Sequence, residues 1–140
     1  MFRLPIILCA LAIPVAPAQG AMAMVHPSVP EQHLTNERLR DMFLGRITTW
    51  QDGSAIVLVI VDDPGSDACL REITGRDRDR LIRGWRRLVF SGSGAMPLLA
   101  GSSTEALTMI AKNPGAVAVT VSATPDNRWR IIPLTPTLSP

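Results

Sequence analysis

The longest purely apolar run after the N-terminal region is residues 55–61, Ala-Ile-Val-Leu-Val-Ile-Val. A strand with one solvated face alternates apolar and polar residues. An unbroken run instead predicts a strand buried on both faces, as in a parallel sheet covered by helices. Residues 62–66, Asp-Asp-Pro-Gly-Ser, follow and lead into a helical pattern. Ligands of open α/β sheets bind at such strand-to-helix loops, so this loop is a candidate site.

Helical and extended patterns alternate along the rest of the chain. Strands are predicted at about 21–26, 55–61, 116–121 and 129–134. Helices are predicted from a Thr35 cap to about Leu44, from a Ser66 cap to Gly75, over about 77–90, and from a Ser102–Glu105 capping box to Asn113. The third helix has an apolar stripe of Leu81, Ile82, Trp85, Leu88 and Val89. This order predicts a three-layer α/β domain with helices on both faces of the sheet.

The N-terminus has the pattern of a secretory signal peptide. Arg3 precedes the apolar stretch 4–15, which is short for a membrane span, and Ala16-Pro17-Ala18 offers a cleavage site. A second match at 21–23 would remove part of the first strand, so we expect 1–18 to be the signal peptide. An uncleaved anchor is the alternative. Residues 135–140 contain two prolines and no core position, which predicts a disordered tail.

Composition and motifs exclude several classes of function. The 140 residues suit one domain, and a net charge of +2 argues against nucleic acid as the main partner. Cys69 is the cysteine left after signal removal, and its place on the apolar side of a helix predicts a buried small hydrophobe. We found no hydrolase elbow, Walker pattern or zinc-ligand spacing. The sequence therefore predicts no enzyme activity, cofactor or metal.

Six arginines fall within residues 76–87, and four of them share one helical face: Arg76, Arg80, Arg83 and Arg87. Asp79 has the spacing to pair with Arg83. One interpretation is a solvated outer face. The other is a docking face for an acidic protein or for the anionic envelope surface.

From about residue 25 to residue 132 the chain resembles one lobe of the phosphate-type periplasmic substrate-binding proteins of ABC transporters. The matching pieces are 43–45 with 50–53, the apolar strand with Gly65-Ser66, Trp85 with 90–92, and 113–117. It is most similar to the short, single-lobe secreted members. The resemblance implies a type 2 periplasmic binding protein-like fold with a mixed, mostly parallel sheet over residues 19–134. It also implies a periplasmic location and no catalysis.

The resemblance also implies ligand-binding residues, drawn from the loops 26–28, 62–68 and 101–104: His26, Ser28, Asp62, Gly65, Ser66, Asp67, Ala68 and Ser102. The family's Arg-x-x-x-Ser-Gly-Thr phosphate loop falls on residues 62–68, and only its serine is kept. Asp62 stands where the arginine is expected. Two like charges about 4 Å apart repel by roughly 4 kcal/mol at an effective dielectric near 20, so this departure opposes phosphate.

Three functions stay open at this point. The chain could bind a small oxyanion such as phosphate at the 62–68 loop, or it could be an envelope interaction module that has lost its ligand and contacts a transporter or other envelope protein. An enzyme ranks last. Within the loop, Asp67 could simply stabilise its own helix, and Asp62 and Asp63 could coordinate a hard cation with the Ser66 hydroxyl.

Overall fold

The computed structural model of the chain describes residues 21–121, 124 and 126–135. Its elements are, in chain order, β1 (Met22–Val25), β2 (Leu34–Thr35), α1 (Asn36–Phe43), β3 (Val57–Val61), α2 (Pro64–Thr74), α3 (Arg78–Phe90), β4 (Leu98–Ala100), α4 (Ser103–Lys112), β5 (Ala116–Thr120) and β6 (Arg130–Thr135). The predicted signal peptide, residues 1–18, lies outside the described part of the chain.

The six described strands form one mixed sheet in the order β2-β6-β1-β5-β3-β4. Three of the five neighbouring pairs are parallel, and β1 runs antiparallel to both β5 and β6. The prediction of a mixed, mostly parallel sheet is therefore confirmed. Because β1 runs antiparallel to β5, the residues that follow β1 lie at the edge of the sheet where β3 and β5 begin.

Hydrophobic side chains cover both faces of the sheet. On β3, Leu58 and Ile60 point into a cluster shared with α1, α2 and α3. Val59 and Val61 point to the other face, into a cluster shared with α4 and Trp129. Residues 58–61 are at most 5% exposed. The apolar run is thus an interior strand of a three-layer fold, as predicted, although the strand itself begins at Val57.

Side-chain caps begin the helices, because the first N–H groups of a helix have no intrahelical partner. Thr35 Oγ1 accepts a hydrogen bond from the N–H of Arg38 at the start of α1, as predicted. Asp77 Oδ1 accepts one from the N–H of Arg80 at the start of α3. Gly75 ends α2 with a φ of 73°, in the left-handed region that favours glycine.

A glycine and a tryptophan fasten the start of β5 to the loop before β3. The indole N–H of Trp50 donates to the carbonyl oxygen of Gly115, at 3.0 Å, and Trp50 is 2% exposed. Gly115 has a φ of 82°, and a Cβ there would lie 2.3 Å from the carbonyl oxygen of Ala55. Residue 115 must therefore be glycine for this contact to form.

Four details of the predicted elements are wrong. Strands β2 and β4 were missed, because two- and three-residue strands carry too little pattern to detect. Val89 is 36% exposed and does not belong to the apolar stripe of α3. Strand β6 includes Thr135, one residue inside the predicted tail, and residues 136–140 lie outside the described part. The cap of α2 is also misplaced, because that helix is capped by Asp63 and not by Ser66.

Candidate functional site

The candidate site lies where β3 and β4 end side by side. The N–H of Asp62, the first residue after β3, donates to the carbonyl oxygen of Ala100 at the end of β4, at 2.8 Å. A shallow pocket of about 320 Å³ lies here, bounded by the ends of both strands and by the start of α3. The 62–68 loop thus opens at the sheet edge where open α/β folds bind ligands.

The cap of α2 is Asp63, and the prediction of Ser66 as the cap is wrong. Asp63 Oδ2 accepts a hydrogen bond from the N–H of Ser66 at 3.1 Å, and the helix begins at Pro64. Proline suits the first helical position, where an N–H would lack an intrahelical partner. Ser66 therefore sits within the first turn. It is fully buried, and its hydroxyl oxygen has no hydrogen-bond partner among the described residues.

Gly65 lets the start of α2 approach the end of β5 closely. A Cβ on this residue would lie 2.8 Å from Cγ2 of Val121 and 3.2 Å from Oδ2 of Asp63. The side chain of any larger residue at position 65 would therefore push α2 away from the sheet. Gly65 shapes the loop through its backbone.

Arg78 supplies the positive charge of the site, from the first residue of α3. Its guanidinium is hydrogen-bonded to Oδ1 of Asp62 and lies 3.6 Å from Oδ2 of Asp67. The hydrogen bond to Asp62 raises the pKa of Arg78 above its usual value, with a smaller contribution from the charge of Asp67. Nothing in the sequence points to Arg78 as a residue of the site, since no pattern relates residue 78 to residue 62.

Ser102, at the start of α4, acts as the predicted helix cap. Its Oγ accepts a hydrogen bond from the N–H of Glu105 at 3.2 Å, and Glu105 Oε2 accepts one from the N–H of Gly101 at 2.8 Å. The Ser102 cap is therefore confirmed, whereas Glu105 accepts from the residue before the cap and not from the Ser102 N–H that a capping box uses. These bonds use the Ser102 hydroxyl and the Glu105 carboxylate within the chain, beside the loop that contains Asp62.

His26 and Ser28 lie at the opposite edge of the sheet. The N–H of His26 donates to the carbonyl oxygen of Ala116, the first residue of β5, at 3.0 Å. The Ser28 hydroxyl bonds to Nδ1 of His26 and accepts from the N–H of Gly115. The five residues of β3 separate the two edges by roughly 16 Å. The expectation of one pocket from all three loops is therefore wrong, because β1 runs antiparallel.

A cation site receives no support from the described residues. Asp63 caps α2, and Asp62 pairs with Arg78, so both carboxylates already have partners within the chain. Across residues 21–121, 124 and 126–135, no three His, Cys, Asp or Glu side chains gather in a way that could hold a metal ion.

The four arginines of the expected docking face lie together, and docking at this face stays a prediction. Arg76, Arg80, Arg83 and Arg87 are exposed and line a groove of about 680 Å³ between α1 and α3. The described structure contains no ion pair between Asp79 and Arg83, so that expected pair is absent. In the described part of the chain, no helix is both long enough and apolar enough to cross a membrane.

Comparison with known proteins identifies the fold. No family model matches the chain, and no curated protein matches it. A solved structure assigned as a phosphate ABC transporter substrate-binding protein from Clostridium perfringens, with bound phosphate, is 18% identical over 82% of this chain, with a TM-score of 0.63. An ABC-type phosphate transport receptor from Vibrio cholerae is 21% identical over 82%, with a TM-score of 0.61.

The chain spans less than half of each of these structures, 44% of the first and 46% of the second. At such low identity the likeness defines the fold. The predicted fold class is confirmed by it, together with the mixed six-stranded sheet and its helices on both faces. The chain has the fold of one lobe of the phosphate-type substrate-binding proteins of ABC transporters.

Proposed function

We propose that this chain is a secreted, non-catalytic domain related to phosphate ABC transporter binding proteins, and that it acts in the periplasm as an interaction module without binding phosphate. The fold supports the relationship. The N-terminal pattern of Arg3, the apolar stretch 4–15 and Ala18 supports secretion. The ion pair between Arg78 and Asp62 carries the rest of the proposal.

That ion pair makes the 62–68 loop a poor receptor for phosphate. The guanidinium that could hold an oxyanion already has two carboxylates beside it, those of Asp62 and Asp67. An incoming phosphate would have to displace at least one of them and then remain near both. At about 4 Å, one carboxylate repels the anion by roughly 4 kcal/mol, which is about as much as Arg78 attracts it. The second carboxylate therefore leaves a net repulsion, and this exceeds the 0.3–1 kcal/mol or so that a helix N-terminus contributes to an exposed anion.

The second candidate function is binding of a small oxyanion such as phosphate at the same loop. It is favoured by Ser66, whose buried hydroxyl has no partner, and by the guanidinium of Arg78 beside the start of α2. In that case the backbone N–H of Gly65 would face the ligand, while Asp62 would have to swing away from Arg78. The N–H groups of Ser66 and Asp67 already donate to Asp63, at 3.1 and 2.8 Å, and would contribute only if those bonds opened.

Calorimetric titration separates the two functions. We expect the chain from residue 19 onward to show no saturable heat with phosphate, sulfate or calcium. Replacing Asp62→Asn and Asp67→Asn together removes two negative charges at nearly constant shape, and should allow weak phosphate binding by freeing Arg78. The matched control, Asp41→Asn with Asp126→Asn, changes the net charge equally but disrupts ion pairs with Arg46 and Arg128 instead.

Saturable phosphate binding that is lost in Arg78→Gln but kept in Arg83→Gln with Arg87→Gln would contradict the proposal and establish the second candidate. Binding of calcium would contradict it as well, since the Asp62 and Asp63 carboxylates would then be available to a cation.

A further inference from the structure

The groove between α1 and α3 is strongly cationic. Its charged lining consists of the guanidinium groups of Arg76, Arg80, Arg83 and Arg87, and no acidic residue borders it. Each of these four side chains is exposed, and within the described residues none forms an ion pair or a side-chain hydrogen bond. The groove therefore carries four positive charges that no ion pair among the described residues neutralises, and Asp79, which is exposed, is the one acidic residue of α3.

Phe90 lies on the same face of α3 as Arg83 and Arg87, beside the groove. It follows Arg83 by seven residues and Arg87 by three, which places the three side chains on one side of the helix. Phe90 is 92% exposed, whereas Leu81 and Trp85 on the opposite side are at most 5% exposed. The inner side of α3 therefore packs into the core, and Phe90 lies outside it.

We propose that this outer face of α3 binds the surface of an anionic phospholipid bilayer. The proposal names the partner of the interaction module and rests on the proposed function for its location in the envelope. Guanidinium groups form paired hydrogen bonds with phosphate oxygens, as in lipid headgroups. A soluble anion or an acidic peptide would account for the arginines alone. A bilayer also accounts for Phe90, since aromatic side chains insert at the boundary between headgroups and acyl chains.

Co-sedimentation with lipid vesicles tests the proposal. The protein is the chain from residue 19 onward, because the apolar stretch 4–15 would bind any bilayer, and both core clusters lie within residues 23–132. We expect binding to vesicles of phosphatidylcholine with 30% phosphatidylglycerol to be at least ten-fold stronger than to pure phosphatidylcholine. It should weaken when NaCl is raised from about 0.05 to 0.5 M, because salt screens exposed charges.

Variants identify the surface involved. Each arginine near an anionic membrane contributes about five-fold in affinity, so Arg83→Gln with Arg87→Gln should weaken binding about 25-fold. Phe90→Ser should weaken it about ten-fold through lost apolar contact. The control, Arg46→Gln with Arg128→Gln, removes the same charge from two other exposed arginines and should stay within about three-fold. Circular dichroism confirms that each variant is folded.

Three results would overturn the proposal: equal binding to both kinds of vesicle, an equal loss in the control variant, or tight binding to soluble inorganic phosphate or polyglutamate without binding to vesicles. The last result would identify a free anion or an acidic protein as the ligand of the groove. If the protein does not bind vesicles, the absence of calorimetric heat with phosphate would still support the proposed function. Phosphate binding at the 62–68 loop would instead overturn the proposed function without affecting vesicle binding.

Discussion

Arg78 and Arg83 belong to the same helix but have opposite surroundings. Arg78 pairs with Asp62 and Asp67 at the end of the sheet, while Arg83 borders a groove without any acidic residue. Five residues correspond to 1.4 turns, so the two side chains leave α3 about 140° apart. The comparison teaches that the arginine-rich segment is not one functional unit. One side neutralises a loop within the fold, and the other remains available to a partner.

The two arginines also illustrate two roles of a charged side chain, one in stabilising the fold and one in attracting a ligand. Removing one partner of an ion pair costs more stability the more deeply the other partner is buried, because the remaining charge then has neither solvent nor a counter-charge. An exposed, unpaired charge contributes little to stability and is free to attract a ligand. Replacing Arg38, Arg78 and Arg83 one at a time should therefore lower the free energy of unfolding by amounts that decrease in that order, as the ion pair becomes more exposed and then absent.

The largest loss is expected at Arg38, which pairs with Glu31. The side chain of Glu31 is 2% exposed, and its second carboxylate oxygen has no hydrogen-bond partner in the part of the chain that the structure describes. Arg38→Leu would leave this buried carboxylate uncompensated and should lower the free energy of unfolding by about 3 kcal/mol. Urea denaturation measures the change. Arg46→Leu is the control, because Arg46 is 65% exposed and should cost less than about 1 kcal/mol.

The intermediate loss is expected at Arg78. Arg78→Gln should lower the free energy of unfolding by about 1 kcal/mol, since the pair with Asp62 is half-exposed and screened by solvent. Arg83→Gln is the matched change on the same helix and should stay within about 0.5 kcal/mol. Equal costs at the two positions would contradict the contrast between the two sides of α3.

The smallest effect concerns the inner side of α2, where Cys69 is buried as predicted. Burial raises the pKa of its thiol, and the charges of Glu72 and Asp63 raise it further. The folded state therefore holds the proton more tightly than the unfolded state. Stability is unaffected below about pH 9 and falls as pH rises above it.

Cys69→Ala removes this titration, so its stability should fall less between pH 8 and pH 10 than that of the unmodified chain. Urea denaturation at several pH values measures the difference. The unmodified thiol should also react slowly with a thiol reagent at pH 8, whereas rapid reaction would show that Cys69 is accessible as thiolate.

Much of the fold was readable from local patterns. The unbroken run 55–61 identified an interior strand, and the caps Thr35 and Ser102 were recognisable because each helix start needs a nearby hydrogen-bond acceptor. The cap of α2 was misplaced by three residues, since Asp63 and Ser66 are both good caps and the proline between them decides in favour of Asp63. Strands β2 and β4 exist only through their pairing with longer neighbours.

The sequence by itself determined the layered α/β class, the buried strand β3 and the exposed row of arginines, because these depend on periodicity within single elements. The tertiary structure decided which distant residues meet. It placed His26 at the edge of the sheet opposite Asp62, because strand direction is set by pairing and leaves no mark in composition. It also brought Arg78 to Asp62, sixteen residues away, because the packing of α3 beside α2 selects that partner.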